Sequence, residues 1–144
     1  METRFRLHEV NPMAWKAVLD FEGYFAKSGV TKTHKELIKI RASQINGCAF
    51  CLDMHTKDAR ENGETEQRIY TLSTWRDTTF FTPEERAILA LTEEATNISG
   101  GVSDEVYNNA VSLLGEEYIA KVLMDIIVIN SWNRIAITTK IMPK

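Results

Sequence analysis

THKELIKIRASQINGCAFCLDMH, residues 33–55, fixes the reading of the rest of the chain. Thr33 followed by Glu36 has the form of a capping box, so a helix is expected to start near His34. Leu37, Ile40 and Ile45 are its candidate buried residues. Asn46-Gly47 breaks it. A second helix begins at Cys48 or Ala49 and runs to Glu61, where Asn62-Gly63 is a C-terminal stop.

The flanking sequence keeps the same character. An amphipathic helix is expected over 12–27, carrying Trp15, Val18, Leu19, Glu22 and Phe25, and Ser28-Gly29 stops it. A short helix follows over 64–72. Thr82-Pro83 with Glu85 is the clearest start signal: a capping residue, proline at the first helical position and glutamate at the box position. That helix carries Ile88, Leu89 and Leu91 toward Thr96. Gly100-Gly101 turns the chain. Ser103, with Asp104 and Glu105, caps a helix that ends at Gly115. A long helix over 116–141 is apolar over much of its surface, so it is expected to be central or covered by a partner subunit. Convincing period-two strands are missing. The fold class is all-α, and 144 residues fit one domain, 1–144, with a proper core.

Bulk chemistry narrows the function. Apolar residues make up 44% and charged residues 26%, with a formal net charge of -3. That balance lacks the positive charge of a nucleic-acid binder. Residues 1–10 have no apolar segment of a secretory signal, and no uninterrupted apolar run approaches the roughly 18 residues of a membrane span. The expectation is a soluble cytoplasmic protein with no nucleic-acid or membrane partner.

The two cysteines are three residues apart. A bridge between Cys48 and Cys51 closes a very short loop and removes little unfolded-state entropy, so stability is a poor reason for the spacing. On one helix at about 100° per residue, Cys51 lies at about -60° and His55 at about -20° from Cys48. The three side chains therefore share one stripe. The first turn of a helix favours an anion, and thiolate is the reactive form of cysteine. His55, four residues after Cys51, can face it as a base. Glu36 lies on the preceding helix, and the Asn46-Gly47 break can fold it back beside His55.

Other readings compete. C-x2-C-x3-H with Glu36 offers four zinc ligands, as in a zinc-stabilised, non-enzymatic binding module. Two buried, inert cysteines are another possibility. Covalent haem attachment needs histidine directly after the second cysteine, where Leu52 stands, and a thioredoxin-like motif needs a βαβ setting. His8 and His34 read as surface residues. Trp15, Trp75 and Trp132 read as core or interface. Glu84, Glu85, Glu93 and Glu94 read mostly as a solvated face. Asn130, Asn133 and Arg134 need partners if buried, and a structural network suits them.

The residues from Glu36 to His55 follow the pattern E-x11-C-x2-C-x3-H. This resembles the core motif of alkylhydroperoxidase D-like (AhpD-like) proteins in the carboxymuconolactone decarboxylase superfamily. Residues 41–46, Arg-Ala-Ser-Gln-Ile-Asn, add to the resemblance, as do residues 82–87 and 129–135. It spans roughly residues 12–140. It implies an AhpD-like helical bundle that assembles into trimers or hexamers, and thiol-dependent reduction of hydroperoxides. By matching positions it makes Cys51 the peroxidatic and Cys48 the resolving cysteine, with Glu36 and His55 as proton relay. An external dithiol or protein thiol would be the reductant, and no metal or flavin cofactor is called for. Phe50 departs from the pattern, because the best-studied branch carries there a histidine that joins the relay. The decarboxylase branch generally lacks the cysteine pair, so decarboxylation is disfavoured. A thiol–disulfide oxidoreductase acting on a protein partner is the alternative enzyme.

Overall fold

The computed structural model describes residues 2–143. Eight α-helices follow one another: α1 (Leu7–Val10), α2 (Pro12–Tyr24), α3 (Lys32–Asn46), α4 (Ala49–Glu61), α5 (Glu66–Thr71), α6 (Pro83–Thr96), α7 (Asp104–Leu114) and α8 (Glu116–Thr139). Short 3-10 segments, Leu72–Asp77 and Ile98–Gly100, follow α5 and α6. The described residues contain no strand.

The start signals act as expected with one shift. Thr82 caps α6 in a reciprocal box with Glu85, and Ser103 caps α7. The cap of α3 is Thr31 rather than Thr33, its hydroxyl accepting from the His34 N–H at 3.2 Å. Extended φ/ψ at Thr31 suits a capping residue, so the helix begins two residues earlier. Glu36 is thereby released from a capping role.

α3 is the central helix. Leu37, Ile38, Lys39 and Ile40 are buried in succession, which requires neighbours on all sides. α4, α6 and α8 supply them. Ile38 and Ala42 meet Ile88 and Leu91 of α6 and Val122, Ile126 and Ile129 of α8 in the main core. Leu37 and Ile40 turn instead to Ala59, Leu72, Trp75 and Leu89. α8 buries Ile119, Val122, Ile126 and Ile129, spaced three, four and three apart, along one stripe. Its other face leaves Leu123, Met124 and Ile127 exposed.

A polar network fastens the α3–α4 turn to α8. The Asn46 side-chain amide donates to Asn130 Oδ1 and Asn133 Oδ1, each at 2.9 Å. Asn133 Nδ2 donates to Ser43 Oγ at 2.9 Å, and Asn130 Nδ2 to Thr96 Oγ1 at 3.1 Å. Gly47 ends α3 with φ 71°, a left-handed conformation that glycine adopts without a Cβ clash. The chain re-enters a helix at once, so α4 folds back along α3. The structural reading of Asn130 and Asn133 holds.

The acidic cluster departs from a solvated face. Glu85 is buried and takes both guanidinium nitrogens of Arg68, at 2.7 and 2.9 Å. Burial alone would raise its pKa, but the bonds from Arg68 and the Thr82 N–H hold it below the usual value. Glu93 accepts from Arg41 Nε at 2.9 Å and Trp75 Nε1 at 2.8 Å. His34 is half-buried, with Nδ1 2.6 Å from the Tyr118 hydroxyl, and is not a free surface histidine.

Candidate functional site

The α3–α4 hairpin brings together all four residues singled out by spacing. Cys48 is the N-cap of α4, and its sulfur accepts from the Cys51 N–H at 3.3 Å. The two cysteines are joined as a disulfide with a Cα–Cα separation of 5.4 Å. Both are buried, at 1% and 2% exposure, in the main core cluster. One turn further along α4, His55 is 6% exposed. Its Nδ1 lies 3.0 Å from Glu36 Oε2 across the hairpin. A carboxylate at Nδ1 selects the tautomer with the proton there and leaves Nε2 as the nitrogen available to other groups.

A cavity of about 480 Å³ opens on this cluster. Cys51, His55 and Glu36 line it, whereas Cys48 is not among its lining residues. The walls are mainly apolar: Phe50 and Met54 of α4, Trp15 and Leu19 of α2, and Trp132 and Ile135 of α8. Trp15 and Trp132 meet edge to face, with ring centroids 5.1 Å apart. They are wall residues of the site, a role beyond the core or interface expected of them. Trp75 is buried in the second cluster, as expected.

Behind the relay lies a charged group that spacing did not reveal. Lys39 is buried at the cavity edge and is paired with Glu22 of α2. Glu22 also accepts from Trp132 Nε1 at 3.0 Å. Asp125 of α8 is buried with no partner for either carboxylate oxygen, and burial raises its pKa to about 7. The one available signal was a lone carboxylate within the apolar run 122–129 of α8.

The potential metal donors also differ from the sequence pattern. Sulfurs bound in a disulfide are not thiolate ligands. Glu36, His55 and Asp58 each offer an atom within 4.8 Å of the others. His55 Nδ1 is 3.9 Å from Asp58 Oδ2.

The architecture is an all-α, AhpD-like helical fold with a Cys-x-x-Cys pair at a helix start. The chain belongs to the carboxymuconolactone decarboxylase family, whose pattern matches residues 13–94. It is 49% identical over 138 residues to the uncharacterised protein YdfG of Bacillus subtilis (strain 168), covering 95% of this chain and 94% of that one. A protein of unknown function from Agrobacterium tumefaciens, ATU0492, proposed to be an antioxidant defence protein AhpD, is 39% identical and superposes with a TM-score of 0.97 over 99% of both chains. A shorter match, 44% identical over 41 residues, joins 28% of this chain to 23% of alkyl hydroperoxide reductase AhpD of Hyphomonas neptunium (strain ATCC 15444).

Proposed function

We propose that this protein is a thiol-dependent peroxidase of the peroxiredoxin type, an antioxidant enzyme that reduces organic hydroperoxides through Cys51 and Cys48. The carrying observation is that Cys51 lines the cavity together with His55 while Cys48 stays behind it. An attacking thiolate must meet the substrate, and a resolving thiol needs only to meet the sulfenic acid.

The Cys51 thiolate attacks the terminal peroxide oxygen. The S–O bond forms as the O–O bond breaks, giving a sulfenic acid and an alkoxide. His55, having accepted the thiol proton, delivers a proton to the alkoxide, and Glu36 stabilises the imidazolium. Cys48 then attacks the Cys51 sulfur, and water leaves as the disulfide closes. An external dithiol or protein thiol reduces that disulfide by exchange, completing a cycle that balances one peroxide against two thiols. Neither a metal nor a flavin takes part.

The apolar walls favour hydroperoxides that carry a hydrocarbon body. A bulky apolar group gains about 25 cal/mol per Å² buried, and hydrogen peroxide gains none of this. Cumene hydroperoxide should therefore be consumed with a higher kcat/KM than hydrogen peroxide, in the presence of a dithiol donor, and mass spectrometry should find a Cys48–Cys51 disulfide. Disulfide exchange with a protein partner and no peroxide consumption would favour the oxidoreductase reading. The convergence of Glu36, His55 and Asp58 keeps a zinc-stabilised module as a second reading. Stoichiometric zinc without peroxide-dependent thiol oxidation would support it.

The exposed apolar residues Leu123, Met124 and Ile127 of α8 suit a homo-oligomeric contact, as a trimer or hexamer. Light scattering should give a multiple of the 16.4 kDa chain mass. Ile127→Glu should lower that multiple, and an unchanged mass would remove α8 from the interface.

A further inference from the structure

The proposed cycle raises an access problem. With exposures of 1% and 2%, Cys48 and Cys51 offer an external dithiol almost no surface, and moving part of the wall would widen the approach to Cys51 through the cavity. α2 supplies Trp15, Leu19 and Glu22 to that wall, yet none of its residues is fully buried. Its C-terminal end is anchored by the buried Phe25. Its polar ties to the body are Glu22, gripped by Lys39 of α3 and Trp132 of α8, and the C-cap carbonyl of Phe25, which accepts from the Lys35 ammonium.

Lifting α2 away with Glu22 would strand a buried ammonium. Lys39 is 6% exposed, and an unpaired buried charge is costly. One buried carboxylate is left without a partner. Asp125 has no exposed surface and two oxygens with no hydrogen bond, and among the described residues these are the only buried side-chain nitrogens or oxygens left without a partner. Lys39 heads the charges that act on it, followed by Glu22 of α2 and by Lys35 and Glu36 of α3.

We propose that Asp125 is a second seat for the Lys39 ammonium, so that α2 opens the cavity when Lys39 passes from Glu22 to Asp125. The need for opening rests on the thiol-redox reading, but the exchange itself does not. In the closed state Asp125 is mostly uncharged only below about pH 7, its pKa being raised to about 7 by burial. In the open state the Lys39 ammonium lowers that pKa, because an adjacent cation favours the carboxylate. Opening therefore releases a proton from Asp125. Its equilibrium constant rises with pH between the two pKa values and levels off above the higher one. Asp125 thus acts through Lys39 as a positioning residue.

Amide hydrogen exchange on the disulfide form, without peroxide, tests the exchange apart from any peroxidase activity. Rates are corrected for the intrinsic effect of pH. In the unaltered protein, protection over residues 12–24 should fall about threefold or more from about pH 5 to about pH 8. Asp125→Asn, close in shape and unable to ionise, should keep the low-pH protection at both values. Glu22→Gln should lower protection at both. Equal protection in Asp125→Asn and the unaltered protein at the higher pH would overturn the proposal. So would Glu22→Gln leaving residues 12–24 unchanged, a test that remains if Asp125→Asn does not fold.

Discussion

Cys51→Ser is expected to abolish peroxide-dependent turnover, by about three orders of magnitude or more, because an alcohol cannot replace the thiolate nucleophile. Cys48→Ser is expected to behave differently. It should consume one equivalent of hydroperoxide and stop, with Cys51 held as a sulfenic acid that a dimedone-type reagent labels. The difference follows from position. The Cys48 sulfur caps α4 and accepts from the Cys51 N–H, whereas Cys51 reaches the cavity. Helix-dipole stabilisation alone would favour Cys48, which is nearer the helix end. Access to the cavity favours Cys51. A single-turnover burst in Cys51→Ser, with none in Cys48→Ser, would reverse the order.

The hairpin that carries these groups was legible because its punctuation is local. Asn46-Gly47 forces a turn, and Cys48 begins the next helix wherever the capping residue of α3 lies. The cap assignment failed because Thr31 and Thr33 offer the same side-chain chemistry. Only the backbone at Thr31, extended and followed by helix, separates them. The cavity was less legible. Trp15 and Trp132 are 117 positions apart in the sequence, and no periodicity brings them to one wall. Glu85 and Glu93 looked solvated because their arginine partners, Arg68, Arg41 and Arg76, lie 17 to 52 residues away. Asp125 was visible only as an interruption of an apolar helix. That it feels the charge of Lys39 depends on how α8 packs against α3.

His55→Ala should slow oxidation of Cys51 by about 10²–10⁴-fold, the usual contribution of a positioned general acid–base group. His55 is held by Glu36 at 3.0 Å, which fixes Nδ1 as the donor to the carboxylate and leaves Nε2 to exchange protons. Because Phe50 occupies the site between the cysteines, no second imidazole stands there to take over the role. Glu36→Gln should retain the hydrogen bond but lose the negative charge that stabilises an imidazolium, so its loss should be smaller than that of His55→Ala. Alanine leaves a space in a cavity already lined by apolar side chains, and added imidazole should enter it and restore part of the rate. Stopped-flow measurement of Cys51 oxidation at a fixed hydroperoxide concentration separates these effects from reduction of the disulfide. An unaltered rate in His55→Ala, with the disulfide still forming, would remove His55 from the chemistry and leave Glu36 and His55 as a structural clasp across the hairpin.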